Sequence, residues 1–459
     1  MKRLPMAAIG ALAVAHALAA NPSATVTALV QNGYGDIQVD YSLADGPAIV
    51  TVAFATNGAP VAPSATVSLD GDFGKVVSGP AGRITWRADI DIPAAKFEAG
   101  DVTATLTAFP PDNPPDWLVV TLSSNSLERV RWYASDDAIP GGILSNDEYR
   151  LTKMVMRRIR AKGVRSFMGG ASPEPGFTTG NAKNELGGTT EATLDHDYYM
   201  AVFELTGAQW HELGVTEGNA GHLGTTLLYT ADEARRPCTA VRYDALRGVN
   251  GSSLAAADDD PAGDPPTGSL LARARAVTGV AFDLPTEGEW EFACRAGTGY
   301  GFWNNGASIT NTSDYASSTA SVDLGLPGRY KFNGGMVYDA GQGAWAAPSA
   351  DADVSAGAAV AGSYAPNGFG LYDMHGNVRE WCRDFWSDDA RSLHGALNTT
   401  YSEKAANPGY GLHVLRGGSF VQCARDCRAS WREQERTNNS YSGIGARLVC
   451  PCPLVSTAE

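Results

Sequence analysis

Residues 367–381 read Asn-Gly-Phe-Gly-Leu-Tyr-Asp-Met-His-Gly-Asn-Val-Arg-Glu-Trp. Two carboxylates, Asp373 and Glu380, flank Gly376. A glycine there permits a turn tight enough to aim backbone carbonyls inward. Converging hard oxygens, at about 2.3–2.6 Å, are what a calcium ion requires. The same residues could equally close a metal-free turn held by internal hydrogen bonds.

The glycines at 368, 370 and 376 belong to a wider excess. Gly supplies 52 of 459 residues, well above the usual ~7%, which favours loops and turns over long helices. The helix signals are few and well formed. Thr206-Gly207-Ala208-Gln209 and Thr286-Glu287-Gly288-Glu289 each fit a capping box ahead of apolar residues. Strands do not alternate with helices, and no glycine loop of the phosphate-cradling kind is present. The expected class is α+β. Residues 304–365, rich in Ala, Ser, Gly, Asn and Asp, read as long surface loops.

The N-terminal part differs. Alternation in Thr25–Val30, Asp36–Tyr41 and Val102–Thr107, punctuated by Asp45-Gly46, Asn57-Gly58 and Asp70-Gly71, predicts short strands of a β-sandwich. No site chemistry is visible there, so an adhesive or spacer role is its default. Pro110, Pro111, Pro114 and Pro115 stiffen the exit. The expected organisation is a signal peptide over 1–20, an immunoglobulin- or fibronectin-like β-sandwich over 21–140, and a loop-rich domain over 141–455.

A formal charge of −15 and a pI near 4.9 argue against nucleic acid as a partner. The single basic run, Lys153 to Arg165, alternates with Met154, Met156 and Ile159 and reads as a solvated strand face. Lys2 and Arg3, the apolar stretch Met6–Leu18 and Ala17-Leu18-Ala19 form a secretory pattern, too short to span a bilayer. A secreted or periplasmic protein with no membrane span is expected. Disulfides are permitted in such a compartment, and seven cysteines is an odd number.

Four segments in order resemble the formylglycine-generating-enzyme (sulfatase-modifying factor) family. They are Tyr198-Tyr199-Met200 with Glu204–Trp210, then Leu284–Gly297, then Asn367–Trp381, and finally Leu415–Phe420 ending at Gly443–Arg447. The resemblance implies a C-type-lectin-like domain with much loop. It also implies a structural calcium held by the Asp373 and Glu380 side chains and the Gly376 and Val378 carbonyls. The family's oxidases hold Cu(I) between two cysteines and convert a substrate cysteine to formylglycine. Cys423 and Cys427 are the matching candidates here, as soft thiolates suit that ion. Their run departs from the family pattern: the first cysteine falls one place late, three residues separate the pair, and Phe420 stands where the family has Tyr. Cys427-Arg428-Ala429-Ser430 also resembles a second family element, whose cysteine forms a disulfide to the position of Cys294. A bridge between Cys294 and Cys427 competes with the copper reading. The histidines, at 196, 211, 222, 375, 394 and 413 after the leader, lack the close spacing of the family's iron-binding branch.

Two functions remain open. One is a copper-dependent oxidase acting on a protein or peptide such as a sulfatase. The other is a non-catalytic module that displays Val421–Ser442 to an extracellular ligand.

Overall fold

Phe54 stacks on Trp86 with ring centroids 4.6 Å apart, and this contact joins the two N-terminal sheets. A computed structural model describes residues 21–32, 35–93, 100–123, 129–169, 190–214, 231–248, 263–299, 328–331, 337–339, 344–346, 357–387 and 411–454. The expected leader and most of the 304–365 segment lie outside the described residues. One N-terminal sheet orders Ser23–Asn32, Asp36–Ala44, Ala81–Arg87 and Leu69–Gly71. The other pairs Ala48–Thr56 with Val102–Phe109, Ala59–Pro60 and Val76–Val77. Period-two alternation buries Ile37, Val39, Tyr41 and Leu43 on one face of the second strand.

The expected boundary near residue 140 cuts through a sheet. Val130–Tyr133, Trp117–Thr121, Lys153–Ile159, Asp197–Ala201 and Val449–Cys452 lie side by side in that order, all antiparallel. Residues 117–133 therefore belong with the C-terminal part. One core cluster also holds Ile37, Ile84 and Trp86 together with Trp117, Tyr133, Val155 and Val202, so the two parts share buried apolar surface.

Of the basic run Lys153 to Arg165, Arg160, Lys162 and Arg165 are exposed and Lys153 and Arg157 half-buried, as a solvated face requires; Arg158 is the exception, on the middle strand of that sheet. Arg158 is 6% exposed and donates to the Pro114 carbonyl and to Asp197. A guanidinium can be buried when each of its N–H groups finds an acceptor.

A second C-terminal sheet orders Arg432–Arg436, Leu412–Arg416, Arg379–Phe385 and Ile444–Gly445, the last pair being parallel. Both expected capping boxes form. The Thr206 hydroxyl accepts from Gln209 N ahead of Gly207–Glu212, and Thr286 accepts from Glu289 N ahead of Glu287–Arg295. A further helix, Leu270–Thr278, begins at Ser269 and ends at the left-handed Gly279. The fold is mostly sheet with few helices. No helix among the described residues is long and apolar enough to cross a membrane.

Candidate functional site

The 367–381 segment is fastened at both ends. The Asn367 amide donates to the carbonyls of Ala293 and Cys294 at the end of the helix Glu287–Arg295, while its oxygen accepts from Phe369 N and Leu371 N. Trp381 Nε1 donates to the Val241 carbonyl. Between them Asp373 and Asn377 take left-handed backbone, at φ 59° and 61°. Gly376 must be glycine: its φ is 109°, and a Cβ would meet the Arg329 carbonyl at 2.1 Å.

Three carboxylates are buried around this turn. Glu204 accepts from Asn377 Nδ2 at 2.6 Å and from Val378 N at 3.0 Å. Asp373 Oδ2 accepts from Gly362 N at 2.6 Å. Glu380 accepts from Trp290 Nε1 at 2.6 Å and from Arg447 Nε. The cation facing them is the Arg447 guanidinium, 2.8 Å from Glu380 Oε1 and 0% exposed. Its other N–H groups donate to the carbonyls of Ala201, Val202 and Tyr372. Burial, with repulsion from Asp373 and Glu380, pushes the Glu204 carboxyl well above the usual range. Burial raises Asp373 to about 6.

This geometry bears on calcium at two atoms. Asp373 Oδ1 is buried with no hydrogen-bond partner among the described residues. A buried carboxylate oxygen left without a donor is the kind of atom a bound cation would satisfy. Glu380 is occupied differently, since both of its oxygens serve Arg447 and one also serves Trp290. Asp373 therefore fits a calcium ligand as it stands, and Glu380 would have to share its charge between Arg447 and the metal.

The cysteines are arranged otherwise. Cys423 precedes the short turn Ala424–Cys427 and is half-buried, while Cys427 is 2% exposed. The Cys427 sulfur packs 3.7 Å from the Cys423 carbonyl and closes on Gly418, where an added Cβ would come within 2.6 Å of it. Gly418 holds φ at 69°, so this approach depends on glycine in two ways. Burial raises both thiols, and Asp426 adds to the effect at each. Burial and a neighbouring carboxylate both oppose thiolate formation.

The expected Cys294–Cys427 bridge is not formed, and all seven cysteines are free thiols. His375 lies against both segments. Its ring lies 3.8 Å from the Cys294 sulfur, and its Nδ1 is 2.9 Å from the Cys427 carbonyl. Burial pulls this imidazole down to about 4. The ring is neutral and packed against the Cys294 sulfur and the Cys427 carbonyl.

The exposed part of Val421–Ser442 stands on a rigid base. Arg428, Trp431 and Arg432 are buried, and Arg432 pairs with Glu287 of the helix Glu287–Arg295. Gln434, Arg436, Asn438, Tyr441 and Ser442 face solvent along an edge strand and the turn after it. Glu204 and Arg447 as partners of the 367–381 turn were not anticipated from sequence. An arginine and a glutamate carry no local sign that they will be buried.

Comparison with known proteins places this geometry. Residues 169–451, more than half the chain, match the family described as "Sulfatase-modifying factor enzyme 1-like domain". The formylglycine-generating enzyme of Thermomonospora curvata is 31% identical over 169 residues, covering 37% of this chain and 48% of its own. That of Mus musculus is 28% identical over 181 residues, covering 38% and 40%. The chain thus spans less than half the length of these curated relatives. Among solved structures, PvdO from Pseudomonas aeruginosa aligns with 19% identity and a TM-score of 0.43, over 65% of this chain and 94% of its own. By its matched segment and the motifs within it, the chain belongs to the sulfatase-modifying factor (formylglycine-generating enzyme) family.

Proposed function

We propose that this protein is a non-catalytic member of its family, an exported ligand-binding module on a C-type-lectin-like scaffold. Residues 21 to about 110 serve it as a β-sandwich spacer. The observation that carries the reading is Cys427: its sulfur is buried against the Cys423 carbonyl and the Gly418 backbone. The solvent-facing side chains of Gln434, Arg436, Asn438 and Tyr441, on a base pinned by Arg432 and Glu287, are a suitable recognition surface. Such a surface suits an extracellular ligand better than a buried peptide cleft.

The second reading is the family's oxidase, with Cys423 and Cys427 as the copper pair and a sulfatase-type peptide as substrate. It is favoured by two thiols on one short turn, inside a segment that matches the family. One experiment separates the two. Full-length protein is incubated with a Cys-x-Pro-x-Arg peptide, Cu(I), O2 and a reductant, and aldehyde product is sought by mass spectrometry. No turnover is expected. Robust aldehyde formation, lost in both Cys423→Ala and Cys427→Ala, would establish the oxidase.

Calcium belongs to either reading. Asp373, with its unpartnered Oδ1, and Glu380, with the carbonyls of Gly376 and Val378, would hold it. Because an ion bound by the native state stabilises that state by mass action, chelator should lower the melting temperature. Asp373→Ala should remove the shift. An unchanged melting temperature on chelation excludes the ion.

A further inference from the structure

The edges of the two N-terminal sheets are unequal. Short strands, proline and charge are what keep other chains off a sheet edge. One edge here is Leu69–Gly71, three residues with Asp70 at their centre, and another is made of Ala59–Pro60 and Val76–Val77, two residues each. The remaining edges, Ser23–Asn32 and Val102–Phe109, are ten and eight residues long. Neither holds a charged residue, in a chain that is 19% charged. Their Cα atoms come within 8 Å of each other, yet they form no ladder together. Among the described residues, the backbone of each bonds to a single neighbouring strand.

Ser23–Asn32 has a second property. Its side chains alternate between exposed and half-buried, and a bulge between Val26 and Ala28 resets the alternation at mid-strand. Ser23, Thr25, Val30 and Asn32 are exposed, whereas Ala24, Val26, Leu29 and Gln31 are half-buried. Apart from the central Thr27 and Ala28, the pattern therefore reads alike from either end. Residues directly opposite on antiparallel strands share a face.

We propose that Ser23–Asn32 pairs antiparallel with the same strand of a second copy, about a two-fold axis beside Thr27 and Ala28. Thr25 then faces Val30 of the second copy, and Val26 faces Leu29, exposed against exposed and half-buried against half-buried. A slip of one residue would set exposed side chains against half-buried ones, so the pattern fixes this register. The missing charge selects the partner. Near a two-fold axis every charge approaches its own copy, whereas a different protein would be steered by opposite charge. Two chains of formal charge −15 repel, and they meet at least cost where charge is absent. The area suffices: a flank about 33 Å long and about 20 Å across, two sheets with their side chains, removes about 1,300 Å² in total, within the range of stable interfaces.

The test is the mass of the full-length protein by sedimentation equilibrium, in a series reaching about 100 µM. Wild type is expected to show twice the mass of one chain. In Thr25→Lys/Val30→Lys, lysine faces lysine twice across the axis, and the dissociation constant should rise at least about tenfold. In Thr25→Lys/Val30→Glu, lysine faces glutamate twice, and the dimer should form again. Within one strand the two positions are about 16 Å apart, so their charges do not neutralise each other there. Both variants alter the same exposed positions, so a folding defect, checked by circular dichroism, would strike them alike. Val76→Lys, at a residue 47% exposed on a short edge, should leave the dimer intact. A wild-type monomer throughout the series refutes the pairing. So does undiminished dimer in the lysine–lysine variant, a lysine–glutamate variant no more dimeric than it, or loss of the dimer in Val76→Lys. None of these outcomes depends on whether the protein oxidises a peptide.

Discussion

The N-terminal sheets and the C-terminal loop-rich region use charge in opposite ways. In the former, ion pairs lie outside the core: Arg83 meets Asp40 at 2.6 Å on the surface, while Ile37, Val39 and Trp86 fill the interior. In the latter, alongside surface pairs, four ion pairs are interior. Arg416 pairs with Glu291, Arg432 with Glu287, Arg247 with Asp283 and Arg447 with Glu380, all but fully buried. Regular strands satisfy one another's backbone groups, whereas loops leave carbonyls that need other donors. Arginine supplies several donors from one side chain. Arg447 alone serves three carbonyls besides its carboxylate, and Arg416 serves the Trp431 carbonyl besides Glu291. The difference teaches that buried charge in this family member substitutes for secondary structure.

The comparison breaks most visibly at Arg447. Replacing it with Met removes one partner of a buried pair and strands Glu380 and three carbonyls. The expected loss is about 3–5 kcal/mol, read as a lower midpoint in chemical denaturation. A midpoint within error of wild type would mean that the interior pairs are no more structural than surface ones.

A smaller effect is expected where the two styles meet, at a half-exposed ion pair. His196 lies between Asp195, 2.7 Å from its Nδ1, and Glu289, 2.8 Å from its Nε2. Tyr198 packs beside the ring without charge. The hydrogen bond to Glu289, opposed by burial and aided by Asp195, raises this imidazole to about 9. A folded-state value above the unfolded one stabilises fully below the unfolded pKa of about 6.5 and is lost as pH rises through 9. Water screens a site this open, so the contribution is about 1 kcal/mol or less. Wild type minus His196→Gln melting temperature should be positive at pH 6 and shrink toward zero by pH 10. A difference that stays constant with pH removes the charge and leaves only packing.

The smallest effect is the control. Arg83→Ala, on the N-terminal surface, should leave the denaturation midpoint unchanged. A clear drop there would erase the contrast between the two regions.

Much of the architecture was legible in the sequence because its signals are local. Thr206 and Thr286 announce their helices through residues three positions later, and Ile37, Val39 and Tyr41 show their strand by alternation. The 367–381 turn is local as well, through Asp373, Gly376 and Glu380. Its partners were not, because Glu204 and Arg447 arrive from distant segments, with Val378 and Glu204 separated by 174 positions. Charged residues also suggest solvent when read alone, which is why Arg158 was expected on a surface it does not occupy. The boundary near residue 140 failed for a related reason: Trp117–Thr121 reads as a strand, but nothing local says which sheet it joins. For Cys294 and Cys427, sequence offers two sulfurs and no sign of the His375 ring that comes to lie against both segments.

The pairing of Asp197–Ala201 with Val449–Cys452 sets the order in which the molecule can be assembled. During synthesis the four strands up to residue 201 can associate, but the outer edge of Asp197–Ala201 keeps unpaired backbone donors and acceptors until residue 452 has emerged. An open strand edge is a template for other chains, and pairings so distant in sequence are slow to close. From the completion of residue 201 until residue 452 emerges, then, the nascent chain is a sheet awaiting its outer strand, and a chaperone or a second nascent copy would meet it at that edge.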